Sequence, residues 1–135
     1  MLFREDLPDQ CPPKEAVDTS LNKVCRFYLF PEGDPRNFYS HLKLGKNTGP
    51  ATECRSRSIS LFKHDCVPGF LEAKKMAFFK KKKIGILDIP KGKSRSLEGG
   101  KGHIDLWPLK DCDPEEHVIM VASTIEEIVE FVKND

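Results

Sequence analysis

The sequence predicts an α+β fold: one mixed or mostly antiparallel sheet of about five strands with two or three helices, the C-terminal helix packed on the sheet. Three observations predict it. Short apolar or alternating runs stopped by Pro and Gly recur through the chain, the C-terminal residues carry the clearest helical pattern, and the two kinds of segment follow one another in mixed order. A length of 135 residues suits one domain with a single core, and 39% hydrophobic against 32% charged residues at net charge +1 excludes a chain left disordered for want of apolar surface.

Residues 1–23 contain Pro8, Pro12 and Pro13 and little periodicity, so they read as an irregular arm lying on the domain or reaching to a partner, with residues 24–135 as the domain. Val24 to Phe30 is an apolar, aromatic run stopped by Pro31 and Gly33, which predicts a central strand. Asp34 as N-cap and Pro35 at the first helical position open a helix over 35–44, with Phe38 and Leu42 on one side and Gly45 at its end; a loop follows over 45–52. Two patterns compete over 53–62: Thr52 can cap a helix starting at Glu53, whereas the alternation from Ser58 to Phe62 favours a strand, which is preferred. Pro68 starts a helix whose stripe of Phe70, Leu71, Ala73, Ala77 and Phe78 runs to about residue 79, with lysines in its last turn.

Ile84 to Ile89 is a strand ended by Pro90, residues 91–102 form a mobile basic loop, and 103–107 form another strand. His117 to Val121 reads as a last strand buried on both faces. The capping box Ser123-Thr124-Ile125-Glu126 then opens a helix with Ile125, Ile128, Val129 and Val132 at helical spacing.

A site is expected on the strand 103–107, because extended geometry puts His103, Asp105 and Trp107 on one face and Ile104 and Leu106 on the other. One enzymatic reading joins Cys54 to this strand as the thiolate of a cysteine hydrolase, with His103 to hold the proton and Asp105 to orient the imidazole. The phrase from Gly102 to Trp107 resembles the histidine strand of bacterial cell-wall amidases of the type VI secretion effector class, and Cys54-x-x-Arg57 resembles their nucleophile region. That resemblance implies an amidase; the strand preferred over 58–62 departs from the helix that follows the nucleophile in that class. Arg57 and Ser60, with Ser58 between them in sequence, resemble ADP-ribosyltransferase-like domains, which place an Arg or His and a Ser on adjacent strands around nicotinamide. Over about half the chain, the succession Phe38 to His41, Glu53 to Phe62 and Gly102 to Trp107 resembles a set of small bacterial proteins with no assigned activity. It implies a bacterial source and a pocket that gathers Ser40, His41, Arg57 and His103.

A nucleic-acid reading uses Lys80, Lys81, Lys82 and Lys83, with Lys91, Lys93 and Arg95, to grip phosphates while Phe78 and Phe79 stack on bases. Charge is unevenly spread: from Lys74 to Lys101 ten residues are basic and only Asp88 and Glu98 acidic, whereas from Gly102 to Asp135 nine are acidic and only Lys110 and Lys133 basic. Such a split suits a protein partner or self-association. His64-x-Cys66 lacks the paired cysteines of a zinc site, no Walker loop or dinucleotide fingerprint is present, and no metal or other cofactor is expected.

The five cysteines, 11, 25, 54, 66 and 112, show no short repeated spacing, so free thiols in a reducing cytosol are expected. The first residues carry two acids and no apolar run of signal-peptide length, and no segment approaches the roughly 20 apolar residues of a membrane span. The resulting expectation is a small cytoplasmic binding or accessory module in a protein assembly, with the cysteine hydrolase and the nucleic-acid-binding domain as alternatives.

Overall fold

A computed structural model describes residues 2–45, 53–67 and 82–134. Among these, six strands form one sheet: β1 (Leu21–Phe27), β2 (Ile59–Lys63), β3 (Ile84–Ile89), β4 (Ser94–Glu98), β5 (His103–Pro108) and β6 (Val118–Ala122). Their order is β4-β5-β2-β1-β3-β6, and every neighbouring pair is antiparallel. The described helices are a single turn, α1 (Glu53–Ser56), and the C-terminal α2 (Ile125–Lys133), which packs on the sheet. The fold is α+β, and no described helix is long and apolar enough to cross a membrane.

Alternation along the strands divides the core in two. Val24, Tyr28, Ile59, Leu61, Leu87, Ile89, Ile104 and Leu106 belong to one cluster, with Phe38 from the following loop. Cys25, Phe27, Ile84 and Ile86 belong to the other, where Ile128 of α2 is buried and Ile125, Phe131 and Val132 pack alongside. Gly85 lies where the backbone must leave room: a Cβ there would stand 2.7 Å from Cζ of Tyr28.

The central position expected for β1 is observed, since it pairs with both β2 and β3; it starts at Leu21, three residues early, across a bulge where the Lys23 amide donates to Asp88 Oδ1 at 2.7 Å. Both patterns over 53–62 are realised in succession, α1 first and β2 after it.

Four expectations are corrected. The helix over 35–44 shrinks to a 3-10 turn, Pro35–Phe38, because Asn37 is buried and uses its side chain to hold the backbone of the preceding loop: Oδ1 accepts from the Leu29 and Phe30 amides at 3.1 and 2.9 Å. The loop over 91–102 contains β4, hidden from a hydropathy reading because its inward residues are Ser94 and Ser96. Among the described residues the last strand lies at the edge of the sheet, paired with β3 alone, and Ile119 is exposed. The capping box falls one residue later than expected: Thr124 caps α2 by accepting from the Glu127 amide, and Glu127 reaches back to the Ser123 amide. The helix expected from Pro68 lies outside the described residues, as do Lys80 and Lys81.

The arm lies on the domain. Phe3 bridges to Leu109, Val17 bridges to Ser96 on the edge of β4, and Cys11 is disulfide-bonded to Cys54 of α1. The expectation of five free thiols is therefore overturned; Cys25, Cys66 and Cys112 are free. With it goes the inference from free thiols to a reducing compartment.

Candidate functional site

The register of β2 against β5 pairs Ser60 with Asp105 and Phe62 with His103, so these four side chains project from one face. Their central atom is Ser60 Oγ, which is 3.0 Å from Nε2 of His103 and 2.9 Å from Nε2 of His41. His41 arrives from outside the strands, on a segment held to the residues leading into β2 by bonds from the His41 amide to the Ser58 carbonyl and from the Leu42 amide to the Ser56 carbonyl. Asp105 is buried; its Oδ1 lies 3.7 Å from His103 Nε2 and 3.5 Å from Ser58 Oγ, and its Oδ2 lies 3.4 Å from Nε of Arg55 on α1. The ring of Phe62 meets that of His103 edge-on at 5.3 Å.

Burial pushes the His103 pKa below the ordinary imidazole value; Asp105 works against that and Arg55 adds to it, so the ring is neutral at pH 7. A neutral ring has one N–H, and the carboxylate beside Nε2 favours keeping it there, donating to Ser60 Oγ. Ser60 thus places its hydroxyl between two imidazoles, within hydrogen-bond distance of Nε2 of each. It is not the serine of an acyl-transfer triad, in which the carboxylate holds the imidazole nitrogen opposite the one facing the serine; here Asp105 and Ser60 approach the same nitrogen.

Arg26 supports this arrangement from within the core. It is 6% exposed, with Nε donating to the Asn37 carbonyl at 2.7 Å and a terminal nitrogen donating to the Ser60 carbonyl at 2.9 Å. One guanidinium therefore ties the strand that carries Ser60 to the loop that leads into His41. Burial lowers its pKa to about 10, which leaves it charged at neutral pH.

The structure brings His41, His103 and Asp105 together and, among the described residues, turns the other expected site residues to other partners. Cys54 is bonded to Cys11 and in this form offers no thiolate, while His103 faces Ser60; the hydrolase reading of Cys54, His103 and Asp105 has no nucleophile in the disulfide-bonded protein. Ser40 is buried and accepts from the Lys43 amide. Arg57 turns to the arm, donating to the Asp6 carbonyl and pairing with Glu53. Trp107 is a buried anchor whose indole N–H donates to the Cys54 carbonyl at 3.1 Å. Lys83 donates to Ser123, and Lys82 is half-buried. His64 and Cys66 point to Lys23 and Asp65, and among the described residues no three metal-ligating side chains cluster.

Arg26 and Arg55 escape the sequence reading. Arg26 did leave a signal, as the one charge inside the run from Val24 to Phe30, where a buried cation has to find acceptors. Arg55 left none. Comparison with protein-family models, with curated proteins and with solved structures gives no match.

Proposed function

We propose that the domain is a binding module whose ligand site is the β2–β5 face, and that the ligand is a nicotinamide dinucleotide. The observation that carries this is the meeting of Ser60 on β2 with His103 on the adjacent strand β5. The resemblance to ADP-ribosyltransferase-like domains was carried by Arg57 and Ser60, and with Arg57 turned to the arm it is His103 that stands where such a pair needs its second member. The chemistry of the face supports it. A hydroxyl flanked by imidazole nitrogens offers both a donor and acceptors, which a carboxamide requires. The Asp105 carboxylate complements the positive charge of a pyridinium ring and of the ribose cation that forms when its C–N bond breaks. Arg55, half exposed at the rim, suits a phosphate.

Calorimetric titration with NAD tests the proposal: binding is expected for the native chain and is weakened at least tenfold in Ser60→Ala, about 1.4 kcal/mol and in the range of a lost hydrogen-bonding group. The absence of heat at millimolar NAD refutes it, and chromatographic detection of released nicotinamide would extend it from binding to turnover. A protein partner is kept as part of the proposal on the ground of the basic centre and acidic C-terminal third; recovery of monomer alone in co-purification counts against that part.

A further inference from the structure

The arm and the candidate site are joined at one place. Cys54 lies in α1, and the next residue, Arg55, reaches Asp105 beside His103. The bridge to Cys11 fixes α1 to the arm from one side, and the Trp107 indole N–H on the Cys54 carbonyl fixes it to β5 from the other. Further along the arm, the Arg57 guanidinium holds the Asp6 carbonyl at 2.8 Å. Both bridged cysteines are only half-buried.

We propose that the Cys11–Cys54 disulfide is a redox-controlled catch that holds Arg55 against Asp105, and that a dithiol reductant opens it and thereby changes the charge of the Ser60 site. The dithiol attacks one sulfur, the Cys11–Cys54 bond breaks, and ring closure of the mixed disulfide expels the second sulfur. The dithiol leaves oxidised by two electrons, and its two protons end on Cys11 and Cys54. With the catch open, the bond from Arg57 to the Asp6 carbonyl is what the described contacts leave between this segment and the arm, α1 is held to β5 by the Trp107 indole, and in the proposal it swings far enough for the Arg55 guanidinium to leave Asp105. The carboxylate then acts on His103 without a competing cation.

The inference rests on the β2–β5 face being a ligand site only in its last arm. In nuclear magnetic resonance titrations of the full chain, the His103 signal, assigned by its loss in His103→Gln, is expected to titrate at higher pH after treatment with dithiothreitol than before. In Arg55→Gln the midpoint is expected to be high already in the oxidised protein and unmoved by reduction. An unchanged His103 midpoint on reduction of the native chain overturns the proposal. So does loss of the far-ultraviolet circular dichroism on reduction, since the bridge is then a structural staple and not a catch. NAD titrated into both forms separates the two readings: no binding to either form, with the His103 shift present, removes the nicotinamide ligand and leaves the catch standing. Equal binding without the shift does the reverse.

Discussion

Replacing Arg26 by Met keeps the aliphatic stem in the core and removes the guanidinium that holds the Asn37 and Ser60 carbonyls at 2.7 and 2.9 Å. Hydrogen bonds from a charged donor contribute about 1.5–3 kcal/mol each, so the two together set a loss of roughly 3–6 kcal/mol. That is a large share of the roughly 5–15 kcal/mol that holds an ordinary domain together. Urea unfolding at pH 7, followed by circular dichroism, measures it as a fall in midpoint at unchanged slope. Arg26→Lys is expected to recover no more than about half, because an ammonium is a point donor and does not span two carbonyls as a fork does. A loss below about 1 kcal/mol for Arg26→Met would mean that these bonds add almost nothing beyond what water supplies to the same groups, and the account of Arg26 as the tie between Ser60 and the Asn37 loop would fail.

Three further outcomes are expected. Burial pushes the Cys25 thiol from 9.0 up to about 12, so the folded state retains a proton that the unfolded chain releases; that stability is complete below pH 9 and falls by as much as about 4 kcal/mol as pH rises to 12. Cys25→Val should flatten this alkaline limb, and an unchanged dependence in urea melts from pH 8 to 11 would assign it elsewhere. Gly85→Ala drives a methyl group into the Tyr28 ring and should cost about 1–3 kcal/mol, the usual range for overpacking; a neutral result would show that the tyrosine can step aside. Trp107→Phe keeps a buried ring but removes the N–H on the Cys54 carbonyl, and a loss of about 1 kcal/mol in the same melts is expected.

The elements that could be read from sequence are those whose inward residues are apolar. Residues 84–89 and 103–107 alternate or run apolar and are β3 and β5, and the segment from Asp34 announces its cap correctly because an Asx–Pro pair acts locally. The reading failed where a small polar residue takes an inward place or where a tertiary bond competes with the helix. Ser94 and Ser96 face inward on β4 and look like loop, and Asn37 spends its amide on Leu29 and Phe30, so the chain turns extended at Tyr39 instead of completing a helix. The face shared by His103 and Asp105 was legible from the period of two. Their meeting with His41 and Ser60 was not a matter of spacing, since it depends on which strand lies beside β5. The disulfide was hidden for the same reason: pairing of five scattered cysteines is decided by the fold and not by their intervals.

The Val17–Ser96 bridge gives the arm a role at the sheet's margin. An outermost strand presents unpaired amides and carbonyls that invite another chain, and here the Val17 amide and carbonyl occupy both groups of Ser96 at 2.9 Å. The arm is thus a guard strand in miniature, one residue pair wide, lying on β4 at Ser96. A chain cut after residue 20 would bare that edge to any strand able to pair with it.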